Sequence, residues 1–138
     1  MGTRSTEESQ RFRPSSREDQ VVQKAQEHFE RTLISIQGQL AGSVAALESS
    51  YADSELNYGE IFVRDNVPVM IYLLVQGRFA IVKQFLKVCL DLQSTSVQTR
   101  GVFPTSFVEE EGNLVADYGQ RSIGRITSVD PSLWWPIL

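Results

Sequence analysis

Three short segments carry the residues best suited to chemistry: Asn57-Tyr58-Gly59-Glu60-Ile61-Phe62-Val63-Arg64-Asp65, Asp117-Tyr118-Gly119-Gln120-Arg121 and Val129-Asp130-Pro131-Ser132-Leu133-Trp134-Trp135. Between them they supply carboxylates, arginines, an amide and aromatic rings at the junctions of expected loops and helices. A sugar offers hydroxyls that carboxylates accept in pairs, and apolar C–H faces that lie flat on aromatic rings. The combination therefore suits a small carbohydrate. Taken one at a time, the same residues have ordinary readings: Asp130 can cap a helix, and Trp134 and Trp135 can fill a core.

The remaining reactive side chains lead elsewhere. Cys89 is the single cysteine and lies in the apolar run Phe85-Leu86-Lys87-Val88-Cys89-Leu90, which reads as a buried structural thiol in a reducing compartment. His28 is the single histidine and sits with Glu27 and Glu30 on a helix surface, so no zinc site is expected. Glu109-Glu110-Glu111 lacks a calcium-loop pattern and reads as a solvated tip. The net charge of −4 comes with no basic stripe, which argues against nucleic acid as a partner. The apolar run Val67–Val75 is too short to span a membrane, and no secretory signal is visible at the start. Met1-Gly2 with Thr6 meets the loose myristoylation pattern but has no basic cluster as a second membrane signal.

The elements that must position these residues follow from spacing. Residues 1–19 are polar, charged and serine-rich, and read as a disordered leader. Val22, Ala25, Phe29, Leu33, Ile36 and Leu40 fall at helical intervals, which predicts one amphipathic helix from about Asp19, weakened at Gly38 and Gly42. Residues 43–63 read as extended or irregular. Asp65 or Asn66 can then cap a helix with Pro68 in its first turn, and Val69–Val75 is apolar all round, as in a helix buried on most faces. Gly77 breaks it, and Arg78–Leu92 forms a second helix with Phe79, Val82, Phe85, Leu86, Cys89 and Leu92 as its stripe. Together the two predict a helix hairpin with more apolar surface than one amphipathic helix can cover. Val108 to Tyr118 reads as a β-hairpin, and Asp130-Pro131 as a helix start. The chain closes on Trp134-Trp135-Pro136-Ile137-Leu138, an apolar ending that reads as an interrupted fold.

Several of these stretches, in order, resemble the neutral/alkaline invertases. They are Asn57-Tyr58 through Arg64-Asp65-Asn66-Val67-Pro68, Phe79-Ala80-Ile81-Val82-Lys83-Gln84-Phe85-Leu86, Leu92-Gln93-Ser94, Phe103-Pro104-Thr105-Ser106-Phe107, Asp117-Tyr118-Gly119, Ser122-Ile123-Gly124-Arg125 and Ser128–Trp135. The resemblance covers about residues 25–138. It implies a cytoplasmic enzyme that splits sucrose into glucose and fructose with inversion, needs no metal or organic cofactor, and assembles as a homo-oligomer. It also implies an all-α fold, a six-over-six α/α barrel. Residues 20–138 would be a partial, N-terminal segment of that barrel with a small β-hairpin excursion. As the resemblance places them, no catalytic residue lies within this chain. Phe62, Arg64, Asp65, Gln120, Asp130 and Trp134 bind the sugar. A rival assignment makes Asp130 the general acid; its expected place at a helix N-terminus, where the dipole favours the ionised form, argues against that. Other readings are a non-catalytic remnant serving as a subunit module, or another helical-barrel glycosidase of the trehalase or glucosidase kind.

Overall fold

Ser16 opens the first helix. The structure is a computed structural model that describes residues 16–45, 59–120 and 130–138. The leader up to residue 15, most of the irregular stretch before Ile61, and the Ser122–Arg125 and Ser128-Val129 motifs lie outside the described residues. Helix α1 spans Arg17–Thr32, slightly earlier than the spacing predicts. Ser16 and Asp19 cap it reciprocally: the Ser16 Oγ accepts from the Asp19 amide at 3.1 Å, and the Asp19 carboxylate accepts from the Ser16 amide at 2.9 Å. These bonds hold the Asp19 carboxyl below the usual carboxylate range.

The long amphipathic helix expected through Leu40 is not formed. Beyond Thr32 the chain becomes a hairpin of strands β1 (Leu33–Ile36) and β2 (Gln39–Ser43). Two features explain the difference. Gln37 and Gly38 both take positive φ, 53° and 75°, the two-residue turn geometry that antiparallel strands favour. The register then shifts between Ile34 and Ser35, with Ala41 of β2 left unpaired, and Leu33 and Ile36, three residues apart, both face the core. In the sequence that spacing imitates a helix.

The second sheet has order β3-β4-β5, all antiparallel: β3 (Ile61–Phe62), β4 (Ser106–Glu110) and β5 (Asn113–Asp117). β4 and β5 form the expected hairpin, turning at Glu111-Gly112 with positive φ at both. Glu111 is a solvated tip, but Glu109 is not: its carboxylate accepts from the Gln37 amide at 2.6 Å and joins the two hairpin turns.

Helices α2 (Val63–Val75) and α3 (Phe79–Asp91) are joined at Gly77, as the glycine suggests, with the Arg78 amide closing on the Leu73 carbonyl at 2.9 Å. α2 starts earlier than expected, straight out of β3, and neither Asp65 nor Asn66 caps it. Pro68 therefore lies inside the helix rather than in its first turn. Nor is α2 buried all round: Val63, Asn66, Val67, Met70 and Leu73 face inward, while Ile71, Tyr72 and Val75 are exposed. A short helix α4 (Pro131–Trp134) and a 3-10 turn over Trp135–Ile137 complete the described chain.

The all-α reading, and with it the partial six-over-six barrel, is thus overturned: among the described residues four helices are interleaved with two antiparallel sheets. The core forms where they meet, with Ile36, Ala41, Ile61, Met70, Leu73, Phe85, Val88, Cys89 and Phe107 buried together. Burial pushes the Cys89 thiol up to about 12, which fits the expected inert structural role. No described helix is long and apolar enough to cross a membrane.

Candidate functional site

The β3–α2 junction is the framework of the site. Phe62 pairs with Ser106 across the sheet, and the Val63 amide donates to the Thr105 carbonyl at 3.0 Å. α2 therefore leaves the sheet without a loop, and its first turn presents Arg64 and Asp65 outward. A carboxylate in this turn also meets the positive end of the helix.

Arg64 joins the two predicted carboxylates. Its Nε donates to Asp65 Oδ1 at 3.1 Å, and its Nη1 donates to Asp130 Oδ2 at 3.3 Å, 66 positions along the chain. Asp65, and to a lesser degree Asp130, push the guanidinium above its already high value, so it is a fixed cation. The side chains of Arg64 and Asp65 are 57% and 58% exposed, and that of Asp130 is 30% exposed, so solvent and ligand can reach all three.

The far end of the chain brings Asp130 to this place. Pro131 is buried, the Ser132 Oγ accepts from the Phe103 amide at 3.2 Å, and Trp135 stacks on Phe103 with ring centroids 4.9 Å apart. Asp130 does stand at the start of α4, as expected, and its carbonyl accepts from the Leu133 and Trp134 amides at 2.9 and 3.0 Å. Its carboxylate, however, makes no capping bond. It turns to Arg64 instead. The helix behind it has four residues, too short for the dipole argument against proton transfer to carry weight.

Beside Asp65 lies a cleft of about 190 Å³ lined by Ser43, Val44, Ala45, Phe62, Asp65, Asn66 and Val69. Ligand sites usually measure about 300–1,000 Å³, so this one has room for only part of a ligand. A larger groove, about 480 Å³, runs between α1 and α2 along Val22, Ala25, Gln26, Phe29, Pro68, Val69 and Tyr72. No charged side chain lines it, and it shares Val69 with the cleft beside Asp65.

Of the six residues expected to bind, Phe62, Arg64, Asp65 and Asp130 come together at this junction. Trp134 follows on α4, 41% exposed. Gln120 is occupied by its own turn: its Oε1 accepts from the Tyr118 amide at 3.0 Å, and its amide donates to Asp117 Oδ1 at 2.7 Å. Asp117 is buried and organises that turn, with Gly119 also donating to Oδ1 at 2.9 Å. Sequence reading missed the buried Glu60, whose carboxylate accepts from the Ser106 hydroxyl at 2.6 Å, and the bonding role of Asn66. Ser106 lies 46 positions from Glu60 and Ser43 lies 23 from Asn66, so neither pairing leaves a local signal. Among the described residues no group of side chains could hold a metal ion.

Residues 25–138 match the sequence profile of the family described as alkaline and neutral invertase. The chain belongs to that family. It is 37% identical over 130 residues to the alkaline/neutral invertase CINV1 of Arabidopsis thaliana, covering 86% of this chain and 23% of the relative. It is 38% identical over 125 residues to the mitochondrial neutral/alkaline invertase 1 of Oryza sativa subsp. japonica, covering 78% of this chain and 20% of the relative. Cytosolic invertase 1 of the same rice is 35% identical over 130 residues, covering 86% and 23%. The chain thus spans about a quarter of the length of the curated relatives it matches. The alkaline and neutral invertases are glycoside hydrolases, and all six expected binding residues fall inside the matched stretch. Relatives named for the cytosol and for the mitochondrion occur side by side, so family alone fixes no compartment.

Proposed function

We propose that the full natural protein is a cytoplasmic hydrolase that cleaves sucrose to glucose and fructose with inversion. The observation that carries the reading is the bridge Asp65–Arg64–Asp130 beside the Phe62-lined cleft. Carboxylate oxygens accept hydrogen bonds, and each carboxylate keeps a second oxygen, beyond its contact with Arg64, for sugar hydroxyls. Phe62 supplies an aromatic surface for a ring face, and Trp134 a second one. The lone buried Cys89 supports the reducing compartment. In this reading Asp65 and Asp130 hold the sugar and transfer no proton.

One observation favours a second role for Asp130. Its carboxylate is free of the helix, and its contact with Arg64, at 3.3 Å, is the longer of the two. Released from that contact, it could serve as general acid. Leaving-group chemistry separates the roles. Fluoride departs from a glucosyl fluoride without needing a proton, whereas the fructosyl oxygen of sucrose needs one. A holding role predicts that Asp130→Asn lowers kcat/KM for both substrates alike, by about tenfold to a hundredfold. A drop of about 10²–10⁴ for sucrose, with the fluoride spared, would make Asp130 the acid.

A further inference from the structure

Asn66 sits next to Asp65, on the buried face of α2, and is 2% exposed. Its amide joins two backbone segments. Nδ2 donates to the Ser43 carbonyl and to the Phe62 carbonyl, both at 2.9 Å. Oδ1 accepts from the Ser43 amide at 2.7 Å. One side chain thus satisfies both backbone groups of Ser43 on β2 while holding the residue that ends β3. Ser43, Phe62 and Asn66 all line the cleft that contains Asp65. Gly42 permits the close approach: a Cβ there would lie 2.8 Å from Ile61 Cγ2 and 3.1 Å from Asn66 Oδ1.

We infer that Asn66 is the positioning residue of this cleft: its amide sets the separation of Ser43 from Phe62, and so places Phe62 and Asp65 for the sugar. The inference rests on the sucrose reading above. The chemistry admits few substitutes. Aspartate has the same shape but turns a carboxylate oxygen toward two carbonyls, replacing two attractions with two repulsions. Leucine leaves three backbone groups without this partner. Either change moves the cleft walls, and small misplacements at a binding site are costly.

The test is sucrose kinetics on the full natural protein, with Asn66→Asp compared with Met70→Ala. Met70 is fully buried on the same helix and does not line the cleft, so its truncation reports destabilisation alone. Asn66→Asp is expected to raise KM about tenfold while kcat stays within about threefold, the signature of lost ground-state binding. Met70→Ala should lower the melting temperature and leave KM unchanged. If Asn66→Asp does not fold, Gly42→Ala presses on the same amide from the strand side with every bonding group retained, and it should raise KM likewise. An unchanged KM in the folded clamp variant, or an equal rise in Met70→Ala, overturns the inference while the sucrose reading stands. A wild-type protein that does not turn over sucrose removes that reading and this inference together.

Discussion

Arg64→Ala in the full natural protein is expected to lower kcat/KM for sucrose by about tenfold to a hundredfold, the equivalent of losing one charge-assisted hydrogen bond at about 1.5–3 kcal/mol. The guanidinium links the two carboxylates, and without it Asp65 and Asp130 repel each other and take up water. The same change should hardly affect folding. Both ends of the Asp65 contact are more than half exposed, and exposed ion pairs contribute about 0–1 kcal/mol. Arg64→Lys should recover little, because an ammonium lacks the planar fork that reaches two carboxylates from one side chain. Steady-state kinetics beside a thermal melt check both halves. An unchanged kcat/KM in Arg64→Ala would show that the bridge is an ordinary surface ion pair.

For stability the largest effect is expected at Phe85. It is fully buried on α3, with its ring centroid 6.2 Å from that of Phe107 on β4, so it joins the second helix of the hairpin to the three-stranded sheet. Phe85→Ala removes most of a ring from a packed interior and should cost about 3–5 kcal/mol. Small domains have about 5–15 kcal/mol in total, so the variant should be near its folding limit. Phe79→Ala is the internal comparison: Phe79 is 64% exposed, and its truncation should stay within about 0.5 kcal/mol. Urea titration followed by tryptophan fluorescence measures both. Equal midpoints for the two variants would place the core elsewhere.

That comparison also marks where the sequence was readable. Phe79 and Phe85 fall on one predicted stripe, and spacing alone gives them equal weight; only the sheet packed against α3 separates them. Features written in neighbouring residues were legible. The Gly77 break, the β4–β5 hairpin and the Asp130-Pro131 helix start all rest on local backbone chemistry, and each is in place. The β1–β2 hairpin was not legible, because Leu33 and Ile36, on a strand whose register shifts at Ile34/Ser35, are buried at the spacing of a helix. The all-α expectation came with the family resemblance, and the missed hairpin left it unopposed. At the site, residue types pointed to Arg64, Asp65 and Asp130 as one set, but nothing in the sequence joins positions 64 and 130; the Phe103–Trp135 stack and the Ser132 bond do that. Asn66 looked like a helix cap because caps and buried clamps use the same amide, and its partner Ser43 lies 23 positions upstream.

The central proposal is that the full natural protein splits sucrose by inversion, and proton NMR of sucrose incubated with it tests this most directly. The account predicts that fructose and β-glucose appear first and in equal amounts, with α-glucose growing in only as the sugar mutarotates. Initial release of α-glucose would contradict the inverting mechanism, and sucrose left intact would contradict the assignment of substrate.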